Sequence, residues 1–171
     1  IIYAVTTKRE FDETVKQFYG GEGGEIGSGD INEMLVGLQG ESIDTEETDN
    51  DKEESSAASD NELVKLVNKI IIDAYKQGVS DIHIEPFPGK EKTKIRFRKD
   101  GSLMPYIEIP AGYRNPLVTR IKIMCDLDIS EKRKPQDGKI KFKKFAPLDI
   151  ELRVATIPSA GGMEDVVMRI L

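Results

Sequence analysis

Arginines in the C-terminal two-thirds of the chain are the residues whose type and position point most clearly to chemistry. Arg153 stands between two apolar residues in the run LRV, and Arg169 does so in MRI. Because successive side chains of a strand point to opposite faces, both guanidinium groups are predicted to lie on the polar face of a sheet. A guanidinium fork binds phosphate oxygens bidentately, so the pattern favours a site for a phosphate-bearing polyanion. The alternative is surface charge paired with nearby acids such as Glu151 and Glu164.

The single histidine and the single cysteine do not point to catalysis. Alternation places Asp81, His83 and Glu85 on one strand face, but parallel side chains do not converge on one ion, and no second histidine is available. His83 is therefore predicted to be a hydrogen-bonded structural residue, and no metal site is predicted. Cys125 falls on the apolar face of a predicted helix and is expected to be a buried structural thiol.

Several classes of protein are excluded by what the sequence lacks. It contains no GxxxxGK[ST] phosphate loop, no GxGxxG, no GxSxG and no HExxH motif. No aromatic residues are interleaved with the basic ones in a stacking pattern, which disfavours nucleic acid. No apolar run approaches the length of a membrane-spanning helix, and one cysteine allows no internal disulfide. These features favour a reducing, cytoplasmic setting.

The formal charge of −6 over 171 residues conceals two different regions. Residues 1–62 carry 17 acids against 4 bases, whereas residues 63–171 carry 14 acids against 21 bases. Residues 21–60, Gly-rich and then acidic, are predicted to be a disordered linker because they cannot bury enough apolar surface. A short helix over 30–38 is expected within it, either nascent or docked on a partner or on another domain. The apolar runs at both ends suggest a piece of a longer chain, with 1–20 as the end of a preceding domain.

The elements that position the arginines belong to a predicted α+β domain over residues 61–171, with a largely antiparallel sheet flanked by helices. Helices are expected over 60–78 and 113–127. Asp100-Gly101 predicts a hairpin turn between two of the strands. Strands are expected over 81–85, 94–99, 102–109, 139–144, 150–157 and 165–171.

Five motifs in this order resemble one family, the type II secretion and type IV pilus assembly ATPases of the GspE/PilB group. They are SDIHIEP (80–86), IRFRKDG (95–101), TRIKIMCDLDISEKRKPQDGKI (119–140), ELRVATIPS (151–159) and VVMRIL (166–171). The resemblance implies that 61–171 is a PAS-like second N-terminal domain, preceding a RecA-like ATPase domain. It also implies a regulatory and coupling role in a hexameric motor for pilus assembly or protein secretion.

For individual residues, the resemblance implies that Arg153 and Arg169 contact the phosphates of ATP bound in the RecA-like domain. Arg98, Arg120 and Arg133 match further arginines of the family and are expected at domain or subunit interfaces. ATP and Mg²⁺ are implied for the full-length parent and neither for this piece, which lacks the Walker motifs and is expected to be inactive alone.

The implied partners are the RecA-like domain of the same or an adjacent subunit, the other copies of a homo-hexamer and inner-membrane platform proteins. The implied location is cytoplasmic, peripheral to the inner membrane. The alternative function is an interaction module that docks the ATPase on its neighbours without touching nucleotide. Two positions depart from the family pattern: Met163 is an apparent insertion, and Asp165 stands where a basic residue is common.

Overall fold

The computed structural model describes residues 31–40 and 49–171. The predicted remnant over 1–20 and the Gly-rich stretch that follows it lie outside these residues. The helices are α1 (Ile31–Gly40), α2 (Asp49–Lys76) and α3 (Arg114–Met124), and short 3-10 helices cover Ala111–Tyr113 and Phe142–Lys144. The strands are β1 (Asp81–Glu85), β2 (Thr93–Lys99), β3 (Ser102–Ile109), β4 (Gln136–Lys141), β5 (Glu151–Ser159) and β6 (Met163–Ile170).

The strands form one antiparallel sheet in the order β3-β2-β1-β6-β5-β4. Strand β1 therefore lies between its sequence neighbour β2 and the most distant strand, β6. The β2–β3 turn uses Asp100 at φ 51° and Gly101 at φ 79°, the left-handed pair typical of a two-residue hairpin. The predicted α+β class, the antiparallel sheet and this turn are confirmed, whereas the PAS-like assignment stays a prediction.

Helices α2 and α3 cover one face of the sheet. The helices carry apolar residues at every third or fourth position and the strands at every second position, so each element has one apolar face. Helical side chains such as Leu66, Ile70 and Ile121 join strand side chains such as Phe97 and Val166 in one buried core. The opposite face of the sheet carries polar residues. Among the described residues, no helix is both long enough and apolar enough to cross a membrane.

Helix α1 packs against α2 of the same chain. Leu38 is fully buried in the common core, and Ile31 and Leu35 are partly buried against it. These residues follow the i, i+4, i+7 spacing of one helix face. The sequence predicted a helix either nascent in the linker or docked elsewhere, and the structure places it on this domain instead.

Several boundaries differ from the sequence expectations. Helix α2 begins at Asp49, inside the segment whose composition predicted a linker through residue 60. Helix α3 ends at Met124 rather than at 127, because Asp126 adopts a left-handed φ of 55°. The second half of the strand predicted over 139–144 is wrong: Phe142–Lys144 is a 3-10 helix, in which the N–H of Phe145 donates to the carbonyl of Phe142. The division into remnant, linker and domain stays a prediction.

Candidate functional site

The face of the sheet opposite the helices, called here the open face, carries a line of charged side chains across five strands. Its members face one another in register from β2 to β4, in the order Arg98, Asp81, Arg169, Arg153 and Lys139. We call these five residues the charged row. Four of the five are cations, so the open face has a strongly positive band through its middle.

Arg153 and Arg169 are directly opposite each other on β5 and β6. Like charges in directly opposed positions destabilise a sheet, so this pair has an energetic cost that a bound anion would relieve. Both residues are exposed. Within the described part of the chain, no carboxylate lies within ion-pair distance of Arg153.

The acids that the sequence suggested as partners of these arginines are engaged elsewhere. Glu151 pairs with Lys139 at 2.8 Å, and the hydrogen bond from Lys139 holds the pKa of Glu151 below its ordinary value against the smaller, opposite effect of burial. Glu164 pairs with Lys122 at 2.6 Å in the interior of the protein. The alternative of ordinary surface pairing through Glu151 or Glu164 therefore does not describe Arg153 and Arg169.

The acid within the row is Asp81, whose side chain is only 5% exposed. Nε of Arg169 donates to Oδ1 of Asp81 at 2.8 Å, and the Ser80 hydroxyl donates to Oδ2 at 2.9 Å. Burial by itself would raise the pKa of Asp81, but these hydrogen bonds hold it below its ordinary value. Asp81 is therefore ionised at neutral pH and neutralises part of the positive band.

An open depression of about 530 Å³ lies along the row between Asp81 and Lys139. Arg153 and Arg169 line it, together with Ala155 and Val167. Ala155 and Val167 lie two residues away on the same strands and face each other. Such a groove, lined by three cations (Lys139, Arg153 and Arg169) and two acids (Asp81 and Asp137), can bind a ligand that carries phosphate groups.

The other arginines singled out by the sequence are distributed differently. Arg98 belongs to the charged row, where its Nε lies 3.9 Å from Oδ2 of Asp81. Arg120 lies on α3 with its guanidinium 5.5 Å from the centre of the Phe145 ring. Arg133 is in the loop after α3, where its side chain is 89% exposed. The structure thus brings together Arg98, Arg153 and Arg169, and leaves Arg120 and Arg133 outside the site.

Sequence reasoning missed two members of the row, Asp81 as an arginine partner and Lys139. Alternation was a usable signal for both, because it places each on the face of its strand that belongs to the open face. The signal does not say which strands are neighbours, and both roles depend on that order.

Two of the three possible metal ligands of β1, Asp81 and Glu85, are engaged by arginine side chains. Glu85 accepts two hydrogen bonds from Arg96, at 2.9 Å and 2.6 Å. Nε2 of His83 is buried without a hydrogen-bond partner among the described residues, so the predicted hydrogen bond is absent at that atom. Burial, followed by the charge of Arg98, lowers the pKa of His83 and keeps it neutral at pH 7. In the part of the chain that the structure describes, no three His, Cys, Asp or Glu residues could hold a metal ion.

Two departures from the family pattern lie where β6 begins. Met163 is buried and faces Ser159 across the hairpin. Asp165 lies on the open face, on the same side of β6 as Arg169 but outside the charged row. Burial, followed by the nearby charge of Glu85, raises the pKa of Asp165.

Cys125 is buried, and its Sγ donates to the carbonyl oxygen of Ile121 at 2.9 Å. Burial, followed by the neighbouring Asp126, raises the pKa of its thiol from 9.0 to about 11. This agrees with a structural thiol rather than a nucleophile.

Iodoacetamide is therefore expected to alkylate Cys125 of the native chain very slowly at pH 7. The raised pKa alone lowers the thiolate fraction about a hundredfold, and burial blocks access as well. Mass spectrometry of timed samples measures the rate, with the urea-unfolded chain as the control that reacts at the ordinary rate. Equal rates in the native and unfolded chains would show that the thiol is accessible and ionisable after all.

The chain belongs to the family described as "Type II/IV secretion system protein", which matches residues 56–171. It is 40% identical over 169 residues to the type IV pilus assembly ATPase PilB of Myxococcus xanthus (strain DK1622), a match that covers 98% of the chain and 28% of that relative. It is 37% identical over 171 residues to the type II secretion system protein E of Xanthomonas campestris pv. campestris, covering 100% of the chain and 28% of that protein. It is also 36% identical to the type II secretion system ATPase E of Vibrio cholerae serotype O1, covering 96% of the chain and 32% of that protein. The chain therefore spans less than a third of the length of these relatives.

Proposed function

We propose that this chain is the N-terminal regulatory and coupling part of a hexameric ATPase that powers type IV pilus assembly or type II protein secretion. In this proposal the charged row contacts ATP held by a RecA-like domain of the same or an adjacent subunit. The protein would work at the cytoplasmic face of the inner membrane, bound through platform proteins. Family membership and the names of the relatives support this assignment.

The observation that carries the proposal is the direct opposition of Arg153 and Arg169 on the open face. Two guanidinium groups held side by side on neighbouring strands provide several N–H donors for the oxygens of a polyphosphate. Their mutual repulsion falls when a phosphate lies between them, so nucleotide binding and closure of the domain over the nucleotide become coupled.

The site fits phosphate rather than metal. In the described residues the groove is lined by three cations and two acids, and no set of three metal ligands is present, so we assign Mg²⁺ no ligand in this chain. When bound, ATP supplies the charge that the arginines neutralise. The residues of this chain orient the phosphates and stabilise negative charge on their oxygens.

Replacing Arg153 or Arg169 with Ala in the full-length protein is expected to lower kcat/KM for ATP hydrolysis by about tenfold to a hundredfold. This is the loss that follows from removing a charge-assisted hydrogen bond to phosphate. A coupled-enzyme ATPase assay at varied ATP concentration measures it. Arg153→Lys is expected to lose only part of this activity, because the charge remains while the bidentate fork is lost.

Lys143→Ala is the matched control, since it removes one positive charge from a side chain that is 70% exposed and outside the row. Its ATPase kinetics are expected to stay at the wild-type level. If the arginine variants also keep wild-type kinetics while pilus assembly or secretion fails, the chain is an interaction module without nucleotide contact.

A further inference from the structure

We propose that Asp81 is a positioning residue, which holds the guanidinium of Arg169 by its Nε so that the terminal nitrogens remain available to phosphate. This inference rests on the proposed function and extends it to a residue that does not itself touch nucleotide. The contact joins a side chain that is 5% exposed to one that is 65% exposed. The Asp81 carboxylate is thus buried in the sheet, while the Arg169 side chain that it holds is largely exposed to solvent.

Asp81 is itself fixed from three directions. It lies on β1, whose backbone is paired with β2 on one side and β6 on the other. Oδ2 accepts from the Ser80 hydroxyl at 2.9 Å, while Oδ1 accepts from Arg169 at 2.8 Å. Arg98 lies at 3.9 Å from Oδ2, too far for a hydrogen bond, so it adds charge without competing for Oδ1.

A second carboxylate–arginine pair on the same face, Glu85 with Arg96, is bidentate and serves as a comparison. Glu85 takes both Nε and Nη2 of Arg96, at 2.9 Å and 2.6 Å, so one whole edge of that guanidinium is occupied. Asp81 takes Nε alone from Arg169. Within the described residues, no acceptor bonds to Nη1 or Nη2 of Arg169.

Holding Nε has a clear physical benefit. An exposed arginine has several rotatable bonds, and ordering them on binding costs free energy. An arginine side chain whose Nε is already held by a hydrogen bond loses less conformational entropy when it binds phosphate. Asp81 also has an opposing effect, because its negative charge weakens the attraction of the row for ATP.

These two effects predict a distinctive kinetic change for Asp81→Asn in the full-length protein. We expect kcat for ATP hydrolysis to fall about tenfold, because Arg169 is no longer oriented, while KM for ATP stays unchanged or falls, because one nearby negative charge is gone. General damage to the fold would instead lower the midpoint of thermal unfolding, whereas loss of positioning alone leaves that midpoint unchanged. Glu85→Gln, which removes a carboxylate four residues along the same strand and on the same face, is the matched control and is expected to keep wild-type kcat.

A variant that leaves the buried carboxylate in place provides a test that does not depend on how well Asp81→Asn folds. In Arg169→Lys the ammonium group would be held by Asp81, with no second edge left for phosphate. We expect this variant to lose as much kcat as Arg169→Ala, in contrast to Arg153→Lys, which faces no acid. Wild-type kcat in Arg169→Lys would overturn the positioning role.

Combining the variants separates the positioning role from the proposed function. Asp81→Asn is expected to cause no further loss of kcat in the Arg169→Ala background, because the residue that it positions is absent. A full additional loss there, or wild-type kcat in Asp81→Asn alone when Arg169→Ala is impaired, would overturn the positioning role only. Wild-type kinetics in Arg169→Ala would instead overturn the proposed function.

Discussion

A Lys122→Met variant is expected to unfold with about 3–5 kcal/mol less free energy than the wild-type chain. Nζ of Lys122 lies 2.6 Å from Oε1 of Glu164, and the two side chains are 1% and 4% exposed. Removing the lysine leaves the glutamate as a buried charge without a partner, and this costs far more than the ion pair contributes. The contact joins α3 to β6, so its loss loosens the helix from the sheet. Urea denaturation followed by circular dichroism measures the change.

A double variant tests whether the cost arises from the unpaired, buried charge of Glu164. Lys122→Met combined with Glu164→Leu is expected to recover most of the lost stability, since an apolar pair of similar volume can replace a buried ion pair. The carbonyl of Glu131, to which Lys122 donates at 2.6 Å, still accepts from the Gln136 side chain at 3.1 Å. Equal losses in the single and double variants would contradict the explanation.

A Phe97→Ala variant is expected to lose about 3–5 kcal/mol of unfolding free energy. Phe97 is 2% exposed and stacks on Tyr106, with the ring centres 4.0 Å apart. The Tyr106 hydroxyl donates to Asp73 of α2 at 2.6 Å, so the stacked pair connects β2, β3 and the helix. Removing one ring leaves a cavity beneath the other, and the surrounding structure cannot fill it completely.

Met104 provides the matched control, because it faces Phe97 across the β2–β3 pair and is 42% exposed. Met104→Ala is expected to cost much less than Phe97→Ala, about 1 kcal/mol, since a large part of the Met104 surface stays in contact with water in the folded chain. Phe97→Leu is expected to fall between the two alanine variants. A small effect of Phe97→Ala, comparable to that of Met104→Ala, would show that the core rearranges to close the cavity.

The sequence was informative wherever a local pattern determines structure. Alternation placed Arg153 and Arg169 on the same side of their strands, and Asp100-Gly101 specified its hairpin, because strand period and turn conformation depend on neighbouring residues. Composition was less informative before residue 61, where a lack of apolar residues predicted a linker and the structure has the first part of α2. An acidic segment can still be helical when it continues a helix whose later turns are buried.

The partner of Arg169 could not be predicted in the same way. Asp81 and Arg169 meet only because β6 lies beside β1 in the sheet, and no local pattern encodes that neighbour. Lys122 was missed for a related reason. A lysine on a helix is usually solvated, and its burial depends on Glu164 arriving from a strand far along the chain.

The central position of β1 also determines the order in which the protein can be completed during synthesis. The Asp81–Arg169 contact joins residues 88 positions apart, whereas β2–β3 and β5–β6 are hairpins. Strand pairings between distant parts of the chain form slowly, because the entropic cost of closing a large loop must be met before the stabilising contacts form. While the ribosome is still making β6, strand β1 has β2 as its neighbour and Asp81 has Arg98 beside it, but Arg169 is not yet available. The charged row is therefore completed only after β6 has been made, and a chain interrupted before β6 has a partial sheet and no assembled row.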